Sequence, residues 1–239
     1  MAAAAALALI GAAVAAAASR VTSPDGTFEV ALDGWVKPAR LAAAGATPIS
    51  LHLGSEVISA DGAEPPDMRE LTLEADRDVS LDVSGLPVCR MLGMPVSPPP
   101  WGSCREGIVG QGRMTILYSA PEGEPTPVTS KLVVYNGGVK GRTTNFWVRT
   151  YLPVPKPNVS LARMKVKRVN KGRYGLEVKV SIPTLAARFG TLLSFDLTLG
   201  RKILSASCPD AHLSVRGSTL LEGSGGMVEL PFSATRGCA

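Results

Sequence analysis

The sequence has little of what most enzymes use for chemistry. Only 5% of its 239 residues are aromatic, and its two histidines are His52 and His212. It contains no GxSxG elbow, HExxH helix, Walker phosphate loop or dinucleotide fingerprint. We therefore assign no catalytic residue, no cofactor and no metal site, and the residues give no basis for placing the chain in an enzyme class.

Charge is missing from the start of the chain, where no charged side chain precedes Arg20. The run is rich in alanine, and Ala16 and Ala18 form an A-x-A pattern before Ser19, so residues 1–18 are predicted to be a secretory signal peptide. An uncleaved anchor is the alternative, although alanine is weakly apolar and the run is barely long enough to span a bilayer. We expect no membrane span after cleavage and a secreted or cell-envelope location.

Glycine and proline are abundant, with 25 and 19 residues scattered without a period. They separate short segments rich in Val, Leu and Ile, which favours many strands over long helices. Alternating or apolar segments predict strands at 27–36, 48–59, 68–75, 112–119, 130–136, 143–152, 176–182, 193–200 and 227–234, with one helical turn at 184–189. This spacing predicts an all-β protein of antiparallel strands, arranged as two immunoglobulin-like β-sandwich portions.

Prolines suggest where the chain divides. Pro153, Pro155 and Pro157 alternate with other residues, which favours an extended linker at 153–158 between an N-terminal β-rich domain (19–152) and a C-terminal β-sandwich domain (159–239). The run Asn136-Gly137-Gly138 is expected to form a tight hairpin between its flanking strands. Pro231 suggests that the last strand lies at a sheet edge.

Four cysteines follow the predicted signal peptide, and an even number in an exported chain favours disulfide bonds. Pairing within each half would join Cys89 to Cys104 and Cys208 to Cys238. A nucleophilic Cys208 is the rival interpretation, but His212 would lie roughly 13 Å away on an extended strand, too far for proton transfer.

The segments "IPTLAARFGTLLSFDLTLGRK" and "LSASCPDAHL", with "GLPVC" and "CREGIVGQG" in the first half, resemble a family of uncharacterised secreted β-rich proteins of actinobacteria. The resemblance implies export, two β-rich portions and cysteines at these positions, and it implies no established activity. The chain departs from the family pattern at Ala211, where a glycine commonly follows Cys-Pro-Asp, and the stretch before Cys208 is shorter.

Two further features are candidate sites. Asp76, Asp78 and Asp82 lie at alternate positions, which could present their carboxylates on one side as calcium ligands or as the acids of a glycosidase. The alternative is that they belong to a solvated strand edge or turn. The loop between Cys89 and Cys104 holds Met91, Met94 and Trp101, which either form a stiff contact surface or fold back as a minor core.

Basic residues are concentrated in the second half. There are 12 basic and 15 acidic residues up to Leu152, against 13 and 5 afterwards, giving net charges of −3 and +8. Arg163, Lys165 and Lys167 alternate with apolar residues, so a strand would align them on one face about 7 Å apart. Arg168, Lys171 and Arg173 would extend this positive surface. An edge strand guarded by lysines is the alternative explanation.

These observations predict a non-catalytic binding or structural module. Its expected partner is an anionic cell-envelope polymer or another extracellular protein, since export and the lack of interleaved aromatic residues argue against nucleic acid. The alternative is a secreted hydrolase that acts on envelope polymers through a pair of carboxylates.

Overall fold

The computed structural model describes residues 17–91, 104–120 and 122–238. Within these ranges the chain forms thirteen strands and one turn of 3₁₀ helix at Ala186–Arg188. The strands are β1 (Ala17–Thr22), β2 (Phe28–Lys37), β3 (Thr47–Ser59), β4 (Asp67–Asp76), β5 (Val79–Leu81), β6 (Ile108–Tyr118), β7 (Thr126–Lys140), β8 (Thr143–Leu152), β9 (Asn158–Lys171), β10 (Tyr174–Ser181), β11 (Gly190–Ala206), β12 (His212–Gly223) and β13 (Gly226–Gly237).

The strands form one antiparallel sheet in the order β1-β2-β3-β11-β6-β7-β8-β9-β10-β4-β12-β13, with β5 paired to the end of β11. Its two end strands, β1 and β13, lie beside each other, so the sheet nearly closes into a barrel. The all-β antiparallel prediction is confirmed. The two sandwich portions are not seen, because a single sheet that curls back on itself covers its own apolar face.

Strands from the two predicted domains alternate in this sheet. β11 lies between β3 and β6, and β4 lies between β10 and β12. The inward side chains form one continuous core that includes the fully buried Val30, Ile116 and Leu152 from the first segment and Leu221 from the second. The predicted linker at 153–158 falls at the hairpin between β8 and β9, which pair with each other.

The hairpin between β7 and β8 forms, but its turn is not where the sequence suggested. The chain turns at Gly141 and Arg142, whereas the Asn136-Gly137-Gly138 segment is an irregularity inside the ladder. Gly138 has a φ of 85°, and its N–H donates to the side chain of Asn136 at 3.0 Å. The positive φ was therefore needed for a bulge rather than for the turn.

Most of the predicted signal peptide, residues 1–16, lies outside the described residues. β1 begins at Ala17, where Ala17 pairs with Gly34 and Ala18 pairs with Asp33. Cleavage after Ala18 would remove these two pairs and leave the ladder from Ser19 to Thr22.

Both expected disulfide bonds are present. Cys89 pairs with Cys104 and Cys208 pairs with Cys238, which closes loops of 15 and 30 residues. Cys238 also accepts a backbone hydrogen bond from Leu41 at 3.2 Å, so the second bond fastens the C-terminal segment to the sheet. Disulfide bonds are typical of an oxidising, extracellular environment.

Candidate functional site

The basic row lies on the outer face of a central strand. Arg163, Lys165 and Lys167 of β9 are exposed, while the intervening Met164 and Val166 are buried in the core. β9 is hydrogen-bonded to β8 on one side and to β10 on the other. The edge-strand explanation for these residues is therefore wrong, since β9 has no open edge to protect.

An aromatic ring from the next strand borders the row. Trp147 of β8 stands opposite Arg163, whose guanidinium carbon is 4.9 Å from the centroid of the indole ring. A cation at this distance is attracted to the negative face of the ring. The local sequence around β9 contains no aromatic residue, so only the pairing of β8 with β9 reveals this neighbour.

A third lysine, Lys179, lies beside the row on the side of β10. Lys179 of β10 stands directly opposite Lys165 and forms an ion pair with Glu70 of β4 at 2.6 Å. Within the described part of the chain, the structure gives no ion pair to Arg163, Lys165 or Lys167. The centre of the sheet thus presents several cations, of which one is neutralised by a neighbouring carboxylate.

Two of the predicted binding residues are engaged by acidic partners. Lys171 contacts Glu74 and, at 2.8 Å, Glu177, while Nε of Arg173 lies 2.8 Å from Asp76. Glu74 also accepts from Nε of Arg216 at 2.6 Å. Lys171 and Arg173 therefore hold strands together. Arg168 stands opposite the core residue Leu176 and lines a pocket with Val166 and Asp82, so the surface available to a ligand is confined to the row itself.

The charge of this network shifts the pKa values of its members. The hydrogen bond from Lys171, aided by Arg216, holds the pKa of Glu74 below its usual value even though burial acts in the opposite direction. The hydrogen bonds to Glu177 and Glu74 raise the pKa of Lys171. Both shifts favour the charged forms, as expected for ion pairs.

The acidic cluster has structural contacts. Asp76 is 1% exposed and accepts hydrogen bonds from Arg173, from the backbone of Ser214 and from the backbone of Asp78. Asp82 accepts from the backbone and hydroxyl of Ser84 at 2.8 and 3.0 Å, and these bonds, with the more distant charge of Arg168, lower its pKa. In the described ranges, no group of three or more His, Cys, Asp or Glu residues is arranged to hold a metal ion.

The described part of the disulfide loop packs on the outside of the sheet. Met91 is half-buried against a small second core made by Cys89, Cys104, Ile108, Val133 and Tyr135, which Trp147 also contacts. Burial raises the pKa of Tyr135 to about 12. Met94 and Trp101 lie outside the described residues. Trp147 therefore links this small core to Arg163 and the basic row.

The histidines sit apart from each other and from any thiol. The ring of His52 stacks on Trp35 with centroids 4.8 Å apart and contacts Thr198 at 3.2 Å. His212 contacts the backbone carbonyl of Asp210 at 2.7 Å, and Cys208 is disulfide-bonded. Cys208 is therefore a structural residue, as its place in an even set of cysteines indicated.

In the described ranges, no helix has the length and apolar character required to cross a bilayer. Comparisons with protein-family models, curated proteins and solved structures found no match to this chain. The resemblance to secreted actinobacterial proteins therefore stays a prediction.

Proposed function

We propose that the protein is a secreted or cell-envelope binding module without catalytic activity, and that the outer face of β8, β9 and β10 holds an anionic envelope polymer. The observation that carries the proposal is the placement of Arg163, Lys165 and Lys167 on a central strand, where none of them forms an ion pair with a described residue. The acid opposite Lys167 is Glu177, which is ion-paired with Lys171. A row along one strand suits a linear polymer, because successive cations are about 7 Å apart and face the same way.

Electrostatics supports the same surface. Lys165 and Lys179 are directly opposite each other on neighbouring strands, and Lys179 alone has a counter-charge, the carboxylate of Glu70. An anion bound beside Lys165 would supply the counter-charge that Lys165 lacks. The ring of Trp147 beside Arg163 adds a flat apolar surface against which a sugar or glycerol unit of the polymer can rest.

The proposal is tested by measuring how poly(glycerol phosphate) chains bind to the parent protein and to the triple variant Arg163→Gln, Lys165→Gln, Lys167→Gln. At roughly 0.5 kcal/mol for each exposed charge, the variant should bind about tenfold more weakly at low ionic strength. Added salt should weaken binding to the parent protein more than binding to the variant.

A second triple variant, Arg40→Gln, Arg113→Gln, Lys131→Gln, is the matched control. These residues are also exposed, and their substitution removes the same charge from other parts of the surface. Binding by the control should stay within about twofold of the parent, since a specific surface depends on where the charges lie. Equal losses in both triple variants, or no binding by the folded parent, would contradict the proposal.

A further inference from the structure

The inner face of the nearly closed sheet borders apolar space that is partly open to solvent. Two cavities of about 200 and 90 Å³ lie among the inward side chains, and their walls are almost entirely apolar. The two cavities share six wall residues and therefore adjoin each other: Leu53, Leu71, Leu73, Met164, Val178 and Phe195. Empty space of this size is unusual in a packed protein interior.

Arg236 is one of three charged residues that line the larger cavity, together with Asp33 and Asp76. Phe232, Ala234 and Arg236 alternate along β13 and line the cavity, and Arg236 is only 7% exposed. Its Nη2 donates to the backbone carbonyl of Ala39 at 2.8 Å. Nε and Nη1 are buried and have no hydrogen-bond partner among the described residues.

The other polar groups near this end of the cavity already have partners. Asp76 also lines the cavity, but its carboxylate accepts from Arg173 and from the backbone of Ser214. Burial lowers the pKa of Arg236, as expected for a charge that lacks compensation. A guanidinium with free N–H groups beside an apolar space matches a ligand with an anionic head and an apolar body, because the guanidinium fork pairs well with a carboxylate.

We propose that the interior of the sheet binds an amphiphilic carboxylate, with the acyl chain in the adjoining cavities and the carboxylate on Arg236. An apolar cavity of about 150 Å³ accommodates benzene, so the larger cavity suits about eight carbon atoms, and the smaller one extends this to about ten or twelve. This site is separate from the outer face of β9, because it lies on the opposite side of the sheet.

The experiment titrates delipidated full-length protein with hexanoate, octanoate, decanoate and hexadecanoate, and with decanol, by isothermal titration calorimetry. Affinity should rise about fourfold for each added methylene until the cavities are filled, and then level off before hexadecanoate. Decanoate should bind about tenfold more tightly than decanol, since only the acid can pair with Arg236.

Two variants test separately the part of the site that binds the carboxylate and the part that binds the acyl chain. Arg236→Met replaces the guanidinium with an apolar side chain of similar length. The variant should therefore bind decanoate about tenfold more weakly and bind decanol as the parent does. Val178→Phe fills the shared wall region and should weaken both ligands about tenfold. Arg20→Met, at an exposed position on β1, is the matched control and should change neither.

Circular dichroism and the unfolding temperature establish that each variant is folded. Without ligand, Arg236→Met should unfold at or above the parent's temperature, because it removes an uncompensated buried charge. The proposal is overturned if the folded parent binds neither ligand, or if Arg236→Met leaves the preference for decanoate intact. The triple variant of the β9 row should keep decanoate binding, so failure of this site and failure of the outer surface are distinguishable.

Discussion

The buried carboxylate of Asp76 accepts a hydrogen bond from Nε of Arg173 at 2.8 Å, and the same carboxylate oxygen accepts one from the backbone of Ser214 at 3.1 Å. Arg173 in turn donates to the backbone carbonyl of His212 at 3.0 Å. These contacts join β4, the β9–β10 turn and the start of β12, so one ion pair ties together segments that are far apart in the chain.

Replacing Asp76 with alanine should destabilise the protein strongly. The substitution leaves the guanidinium of Arg173 without its partner, and breaking a buried pair costs about 3 to 5 kcal/mol. We expect the lower end, about 3 kcal/mol in the free energy of unfolding in urea, since Arg173 is one-third exposed. Asp210→Ala is the control at an exposed position, with an expected change within about 0.5 kcal/mol. Equal unfolding midpoints for the two variants would contradict this role of Asp76.

The ion pairs of Glu74 should make the free energy of unfolding depend on pH. The folded-state pKa of Glu74 lies below its value in the unfolded chain, so the carboxylate stabilises the fold at pH values above the unfolded pKa. This stabilisation should be lost progressively as the pH falls through the folded pKa. Unfolding of the parent protein and of Glu74→Gln, measured from neutral pH down to strongly acidic pH, should therefore show a difference that shrinks on acidification. A difference that stays constant with pH would contradict the shift.

The two disulfide bonds should contribute unequally. In the chain-entropy account, a disulfide bond stabilises the fold more when it closes a longer loop. Removing the bond across 15 residues by Cys89→Ala with Cys104→Ala should lower the free energy of unfolding by roughly 3 kcal/mol. Removing the bond across 30 residues by Cys208→Ala with Cys238→Ala should lower it by roughly 0.6 kcal/mol more. Urea unfolding of the two double variants measures both values. Full reduction breaks both disulfide bonds of the parent protein. The reduced parent should therefore be less stable than either double variant measured without reductant, since each variant keeps one bond. A larger loss from the shorter loop would show that loop length does not decide the order.

Replacing Ala211 with glycine should stabilise the protein. Ala211 has a φ of 62° in the turn that follows Cys208, and this left-handed region is costly for a residue with a Cβ atom. Ala211→Gly should raise the free energy of unfolding by about 0.5 to 1 kcal/mol.

The matched control for this substitution is Ala44→Gly. Ala44 is also exposed in a loop, but it does not have a positive φ. Glycine there increases the freedom of the unfolded chain and should lower stability by a few tenths of a kcal/mol to about 1 kcal/mol. Changes of the same sign in both variants would contradict the strain at Ala211.

The sequence was informative wherever the relevant physics is local. Alternation of apolar and polar residues predicted the position of β8 at both ends and placed Arg163, Lys165 and Lys167 on one exposed face, because side-chain direction in a strand has a period of two. The even number of cysteines in a chain with an export-like start predicted both disulfide bonds.

Tertiary structure alone decided which strands are neighbours. Alternation in β9 is the same in a central strand and in an edge strand, so the sequence could not tell that β8 and β10 flank the row or that Trp147 lies against Arg163. Pairing with β4 also engaged Lys171 and Arg173 with acids nearly a hundred residues away. The cavity beside Arg236 has the same origin, since it exists only because strands from both ends of the chain close around it.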